Sequence, residues 1–208
     1  MNVIEAIKTR RSIKGNFLDK PVEREKIEQV IEAGLWAPSG QNQQPCRFIV
    51  VTEPGLLAEI EAEMFRIGET IKKLRPIVGL FKKELSGEKG KRAIKSVRPH
   101  AFHGAPGLIL IGAMRDSSST YFKDCSLAAQ NMMLAAHELG LGTCCMGWVG
   151  AINQSKALKA KLDIPKGFEI CQGITIGYYD SDKTPKAPPR KGVDETTAWF
   201  LKREAEGS

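Results

Sequence analysis

The most informative stretch of this sequence is an uncharged loop, Ala37-Pro38-Ser39-Gly40-Gln41-Asn42-Gln43-Gln44-Pro45, hereafter the polar loop. Two prolines bracket six small or amide residues, and none of the nine residues is charged. Such a loop offers hydroxyl, amide and backbone donors without a fixed charge. It therefore suits a flat heterocycle with polar edges better than a phosphate or a metal ion.

Apolar periodicity predicts a helix before the polar loop and a strand after it. Over 22–36, apolar residues recur at the spacing of one helix face, and Pro38 stops the pattern. Residues 47–52 predict a strand, and the apolar run 48–51 predicts that it is buried on both faces. The polar loop thus connects an amphipathic helix to a core strand.

The rest of the chain alternates further helices with at least two more strands. Helices are predicted at 2–9, 54–98, 121–139, from a cap at Asn153 to about 162, and weakly near Trp199 and Phe200. The helical region 54–98 is expected to break at Gly68, Pro76, Gly79 and Ser86-Gly87. Strands are predicted at 107–113 and 168–179, with a short strand or turn at 143–149. The helix at 121–139 is apolar on more than one face, which predicts burial in a subunit interface. This order of elements predicts an α+β fold with one central sheet covered by helices.

Length and composition indicate one globular domain. At 208 residues the chain is long enough to bury a core. No apolar run approaches the roughly 18 residues of a membrane span, and the acidic start Met1-Asn2-Val3-Ile4-Glu5 is unlike a signal peptide, so a cytoplasmic location is expected. The five cysteines include no Cys-x-x-Cys pair, which favours buried, reduced thiols over disulfides, zinc or an iron–sulfur cluster.

The net charge of +7 is concentrated in one segment. Residues 72–98 hold ten Lys or Arg against two Glu, a local charge of +8 that leaves the remainder near −1. Two interpretations stay open: a solvated helical face, or a cationic lid that attracts an anionic substrate or the phosphates of a nicotinamide cofactor. Nucleic-acid binding is disfavoured because Phe81 is the only aromatic residue in the segment.

Two groups of cations near the chain ends suit an anion. The N-terminal cation cluster (Arg10, Arg11, Ser12 and Lys14) places three cations and a hydroxyl within five residues, a combination that suits a phosphate. The same cations also favour the C-terminus of the preceding helix, so that alternative stays open. Near the other end, prolines rigidify the approach to Arg190, a candidate second phosphate ligand.

The glycine-rich stretch 140–148 allows the backbone to approach a ligand closely. The backbone N–H groups of Met146 and Gly147 are candidate donors to a ring nitrogen. A nucleophilic role for Cys144 or Cys145 is disfavoured because the local sequence supplies no base or cation, and the three histidines show no metal-ligand spacing. With the polar loop and the cations, this stretch indicates a flavin held at both its ring and its phosphate.

In order and spacing, these segments resemble the FMN-dependent nitroreductase family over residues 2–193, most of the chain. The resemblance is carried by Arg10-Arg11-Ser12, by Ala37-Pro38-Ser39 with Asn42, Gln44 and Pro45, by His103-Gly104-Ala105-Pro106, by Leu139-Gly140-Leu141-Gly142-Thr143, and by Gly177-Tyr178 with Arg190. Two positions depart from the family pattern. Cys46 stands where many members have Trp, and Pro188 stands where some have Lys.

The resemblance implies a homodimer of single-domain subunits (residues 1–208), each with a central mixed, mostly antiparallel sheet flanked by helices. Residues 68–100 would form a helical lid, and residues 180–208 an arm that extends onto the partner subunit. Two FMN sites would lie in the dimer interface, each formed by both chains. One chain would supply Arg10, Arg11, Ser12, Lys14 and Arg190 to the phosphate and ribityl chain, and the other Pro38, Ser39, Gly40 and Asn42. Met146 and Gly147 match the segment that passes over the N5 edge of the flavin.

The implied chemistry is a ping-pong hydride transfer. NADH or NADPH would reduce the flavin at N5 and leave, and a nitroaromatic, quinone or related electron-poor acceptor would then bind the same face. No side chain need act as an acid or base, so no catalytic residue is predicted. No metal ligand is predicted either. The same residues also allow a protein that stores or senses FMN without NAD(P)H turnover.

Overall fold

The computed structural model describes residues 1–78, 100–184 and 186–200, apart from the side chains of 74–78. The strands are β1 (Arg47–Val51), β2 (Gly107–Met114), β3 (Gly142–Cys145) and β4 (Phe168–Gly177), and the helices are α1 (Val3–Thr9), α2 (Arg24–Leu35), α3 (Pro54–Val78), α4 (Tyr121–Glu138), α5 (Lys156–Lys161) and α6 (Val193–Thr196). The strands form one antiparallel sheet in the order β1-β2-β4-β3. This confirms the α+β class. Within the described residues, parallel pairing is limited to a bridge between Ser12 and Thr143.

The sheet separates two apolar layers because successive side chains of a strand point to opposite faces. On one face, α2 and α4 pack against Ile109 and Ile111 of β2. On the other face, α3 and the 3₁₀ turn Val149–Gln154 pack against Leu108 and Leu110. Strand β2 is buried along nearly its whole length, as its uniformly apolar sequence predicts.

Helix α4 ends where its sequence predicts. Gly140 has a left-handed φ of 75°, which a residue with a Cβ adopts at a cost. The N–H groups of Gly140 and Leu141 then donate to the carbonyls of His137 at 3.1 Å and Ala136 at 2.8 Å. This is a Schellman motif, and it turns the chain from α4 directly into β3.

Helix α4 is not buried on every side within a single chain. Its apolar sequence predicts burial in a subunit interface. One face, including Cys125, Ala128 and Met132, is buried against the sheet and α2. On the remaining surface Phe122 and Leu127 are 51% and 45% exposed. These exposed apolar side chains are available to a partner.

Strand β1 differs from the prediction of two buried faces. It lies at the edge of the sheet, so only Val51 is buried, Phe48 and Ile49 are half-buried, and Val50 is 39% exposed. An apolar run shows that a segment is a strand, but its place in the sheet depends on pairing with distant segments.

Helix α3 runs without a break through Gly68 and Pro76, both of which were expected to interrupt it. Its side chains Ile60 and Met64 are fully buried on the sheet. That burial outweighs the roughly 1 kcal/mol that a helical glycine costs relative to alanine. Pro76 falls two residues before the end of the helix.

Asn153 does not cap a helix as predicted. It lies within the turn Val149–Gln154, and its side chain both accepts from the N–H of Ile170 and donates to its carbonyl, at 2.9 and 2.8 Å. Ser155 caps α5 instead, because its hydroxyl accepts from the N–H of Leu158. Asn153 thus attaches this turn to β4.

Several predictions fall outside the described residues: the breaks at Gly79 and Ser86-Gly87, and most of the basic segment 72–98 and of the predicted lid 68–100. In the tail, α6 precedes Trp199 and Phe200, which were predicted to lie in a helix but are non-helical and 60% and 96% exposed. No helix in the described part of the chain has the length and apolar character to cross a membrane.

Candidate functional site

The N-terminal cation cluster lies where the chain leaves α1 and joins the edge of the sheet. The N–H of Ile13 donates to the carbonyl of Thr143 at 2.9 Å, and Ser12 pairs with the same residue. Gly142 makes this approach possible, since a Cβ there would lie 2.7 Å from side-chain atoms of both Ile13 and Tyr179. Local packing therefore holds the cluster beside β3.

Arg10 has buried nitrogens that lack an acceptor. Its Nε and Nη1 are buried and make no hydrogen bond within the described part of the chain. Leaving such a donor unpaired costs about 1–3 kcal/mol, and more for a charged group. The buried hydroxyl of Thr143 also lacks a partner among the described residues. An anion that accepts from Arg10 would remove this cost.

Arg11 was also predicted to contact a phosphate, and this stays a prediction; in the structure its environment differs from that of Arg10. Its Nη1 donates to the carbonyls of Lys8 and Arg10, both at 2.7 Å. These bonds satisfy carbonyls at the C-terminal end of α1 and place a cation at the negative end of the helix dipole. Two adjacent arginines thus have different environments.

The N-terminal cation cluster also affects the thiols of β3. Burial raises the pKa of the Cys144 thiol, whereas the nearby charges of Lys14 and Arg10 and a hydrogen bond with Ser12 lower it. Burial also raises the pKa of Cys145, and Arg10 opposes that effect. With raised pKa values both groups stay thiols, the less nucleophilic form. Arg10, Ser12 and Lys14 therefore surround one edge of the sheet.

The backbone N–H groups of Met146 and Gly147, which follow β3, differ in their hydrogen bonding. The N–H of Met146 donates to the carbonyl of Gly173 at 2.8 Å, so it is not free to serve a ligand as predicted. Gly147 is exposed, its N–H has no bond to any described residue, and a Cβ built there would meet no atom within 4 Å. Of these two predicted donors, Gly147 remains available, just after the end of β3.

The polar loop has a strained backbone. Gln41, Asn42 and Gln44 adopt φ values of 52°, 55° and 47°. Asparagine tolerates this conformation, but for residues such as Gln41 and Gln44 it costs roughly 1–2 kcal/mol each. The hydroxyl of Ser39 accepts from the N–H of Gln44 at 2.9 Å and closes the loop on itself. Residues 41–44 are exposed to solvent.

A buried carboxylate that was not predicted from the sequence anchors this loop. Asp124 is 3% exposed, and its Oδ1 accepts from the N–H of Gly40 at 3.4 Å. Its Oδ2 accepts from the hydroxyls of Ser118 at 3.3 Å and Thr120 at 3.1 Å. The sequence signal for this anchor was an acidic residue in the first turn of the helix, a few positions after three serines and a threonine.

The cysteines are free, and all but Cys145 are buried, which confirms the expectation of core thiols for four of the five. Cys46 follows the polar loop, and its Sγ lies 3.8 Å from Sγ of Cys125. Cys125 neighbours Asp124 in α4. Gly40 within the loop and Cys46 just after it therefore contact adjacent residues of one helix.

The structure does not bring the polar loop and the cation cluster together in one chain. Asp124 holds the loop near the N-terminal end of α4, whereas His137, near the other end, is 2.8 Å from the hydroxyl of Thr9 in α1. His137 follows Asp124 by thirteen positions, a rise of about 20 Å along the helix. Arg190 is exposed in the tail and has no hydrogen bond or ion pair within the described ranges.

A cavity of ≈ 650 Å³ lies apart from both groups, between residues 17–22, the start of α3 and residues 100–107. None of the predicted site residues lines it. Gly104, Ala105 and Pro106, from one of the segments that carry the family resemblance, form part of its wall.

Comparison with known proteins decides the family. A sequence model of the nitroreductase family matches residues 7–178. The chain belongs to the nitroreductase family. That match includes the cation cluster, the polar loop and Gly147, whereas Arg190 lies beyond its end.

Relatives of this nitroreductase-family chain match over most of its length. It is 30% identical over 178 residues, 86% of this chain and 78% of the relative, to a Methanothermobacter thermautotrophicus protein provisionally named NADH dehydrogenase/NAD(P)H nitroreductase. It is 28% identical to the Bacillus subtilis protein named FMN reductase [NAD(P)H], over 97% of this chain and 76% of that protein. A Bacteroides fragilis nitroreductase crystallised with FMN has the same fold, with a TM-score of 0.74, 23% identity, and coverage of 97% and 100%.

Proposed function

We propose that the protein is an FMN-dependent oxidoreductase that takes hydride from NADH or NADPH and reduces nitroaromatic, quinone or related electron-poor acceptors. One observation carries the cofactor assignment: the buried, unpartnered nitrogens of Arg10 in a chain of the nitroreductase family. The names of its relatives, an FMN reductase and an NAD(P)H nitroreductase, support the reaction class.

The residues present fit the phosphate end of FMN. Arg10 supplies two donors that need an acceptor, and Ser12 and Lys14 lie beside it at the same sheet edge. Charge-assisted hydrogen bonds from arginine to phosphate are short and strong. We assign the phosphate to Arg10, Ser12 and Lys14, with Arg190 of the tail as a further contact and Arg11 in a supporting position behind them.

The residues around Gly147 and the polar loop fit a flat ring. Gly147 presents a free N–H and open space beside β3. Pro38, Ser39, Gly40 and Asn42 offer hydroxyl, amide and backbone groups without charge, which suits the polar edge of a neutral heterocycle.

Bound FMN supplies the hydride chemistry at its N5, and the chain supplies binding and orientation. The cation cluster would hold the anionic end of the cofactor, and the polar loop would contact the ring. Because Cys144 and Cys145 remain thiols, no protein nucleophile is assigned. We expect the nicotinamide and the acceptor to bind in turn at one face.

We propose further that two copies of the chain complete two sites. The polar loop of one chain lies about 20 Å along α4 from its own cation cluster, so one chain cannot supply both to the same ring. An apolar face of α1 is exposed: Val3, Ile4 and Ile7 are 68%, 60% and 51% exposed. A second copy that covers this face would bring its polar loop to the cluster. The predicted cytoplasmic location stays a prediction.

Initial-rate kinetics test this function. The protein saturated with FMN is expected to oxidise NADH or NADPH rapidly only when nitrobenzene or menadione is present. Double-reciprocal plots at several acceptor concentrations should be parallel, because donor and acceptor react in separate half-reactions. The same assay with FMN and no protein is the control. A protein that binds FMN yet turns over neither nicotinamide with any acceptor would instead be a flavin store or sensor.

A further inference from the structure

We propose that Asp124 is a positioning residue that holds the strained polar loop in the conformation that binds the flavin ring. The inference rests on the proposed function, because it takes the polar loop to be a flavin contact. It adds a residue of α4 that does not itself touch the cofactor.

The strain of the loop requires an anchor outside it. Three non-glycine residues within 41–44 have left-handed φ values, and such strain persists only where the surroundings enforce it. The bond from the N–H of Gln44 to Ser39 joins two residues of the loop to each other but not to the body of the fold. Gly40 provides that link, since its N–H donates to the Asp124 carboxylate.

Asp124 is suited to this role because α4 is a rigid base. The helix packs on the sheet and on α2, and Asp124 lies in its first turn, where the helix dipole favours a negative charge. The carboxylate accepts from Gly40, Ser118 and Thr120, so it joins the loop, the preceding turn and the helix. A buried carboxylate is costly unless its oxygens are hydrogen-bonded, and here these neutral groups satisfy them.

Steric fit reinforces the electrostatic contact. A Cβ on Gly40 would lie 2.3 Å from Oγ1 of Thr120 but 3.5 Å from its Cβ, an ordinary contact distance. The backbone of the loop therefore rests directly on the Thr120 hydroxyl. Asp124 also lines a small crevice together with Pro38 and Ser39, two predicted flavin contacts.

The first test compares Asp124→Ala with Asp124→Asn. Alanine removes the acceptor for Gly40, so FMN titrated into the apoprotein should bind at least about 10-fold more weakly. Asparagine keeps an oxygen for Gly40 and should restore affinity to near the wild-type value. In the apoproteins, amide hydrogen exchange at residues 40–44 should accelerate in the alanine variant and not in the asparagine variant.

Ser155→Ala is the matched control, because it removes a buried hydroxyl that caps α5 far from the polar loop. It should lower the melting temperature without changing FMN affinity. Equal FMN affinity of Asp124→Ala and wild type would overturn the positioning role while leaving the flavin assignment intact. Failure of the wild-type protein to bind FMN would instead overturn the proposed function.

A second pair of variants tests the same contact without altering the carboxylate. Gly40→Ala should weaken FMN binding, because its methyl group collides with the Thr120 hydroxyl. Adding Thr120→Ala removes that hydroxyl and should recover much of the lost affinity. A double variant that binds FMN no better than Gly40→Ala alone would contradict the proposed docking of the loop on α4.

Discussion

Arg10→Ala is expected to weaken FMN binding by about 30- to 100-fold, the equivalent of roughly 2–3 kcal/mol for hydrogen bonds to a charged group. The guanidinium of Arg10 can bind an anion, because two of its nitrogens are buried with no acceptor among the described residues. Its removal takes away the strongest proposed phosphate contact. Titration of the apoprotein with FMN, followed by flavin fluorescence, measures the effect.

Arg11→Ala is the matched control for Arg10→Ala, with the same change in charge at the adjacent residue. The Arg11 side chain is bonded to carbonyls of α1, so its loss should lower stability slightly and leave FMN affinity within about threefold, as expected for a screened charge near the site. Equal losses of affinity in the two variants would mean that net charge, and not the geometry of Arg10, determines binding.

The double variant Ile4→Glu/Ile7→Glu is expected to be monomeric and free of flavin. Both side chains lie on the exposed apolar face of α1, at 60% and 51% exposure. Two carboxylates would have to be buried without partners if a second copy covered that face, which is strongly unfavourable. Light scattering reports the mass of the variant, and its absorption spectrum reports the flavin content.

The control for this variant is Lys156→Glu/Lys166→Glu, which adds two glutamates at exposed positions distant from α1. It should remain dimeric and bind FMN. If the α1 variant stays dimeric with full flavin, α1 does not form the interface. If it becomes monomeric and still binds FMN with wild-type affinity, the site does not require both chains.

Features that depend on neighbouring residues were predictable from the sequence. Gly140 ends α4 because a local left-handed turn satisfies the last carbonyls, and β2 is a buried strand because its whole length is apolar. The helix-rich order of elements with dispersed strands predicted the α+β class. In each case the determining atoms lie within one segment.

Features that depend on distant contacts were not predictable. The exposure of β1 follows from its place at the sheet edge, and the continuity of α3 follows from packing that outweighs a helical glycine. For the site, residue types identified the cation cluster and the polar loop. They did not distinguish Arg10 from Arg11, or reveal Asp124, because both depend on which atoms the fold brings within hydrogen-bond distance.

The most direct test of the central claim is the absorption spectrum of the purified protein, with FMN added and the excess removed, before and after anaerobic addition of NADH and then NADPH. We expect a yellow protein whose visible flavin band bleaches on addition of at least one of the two nicotinamides. A colourless protein that retains no added FMN would contradict the assignment of the flavin site.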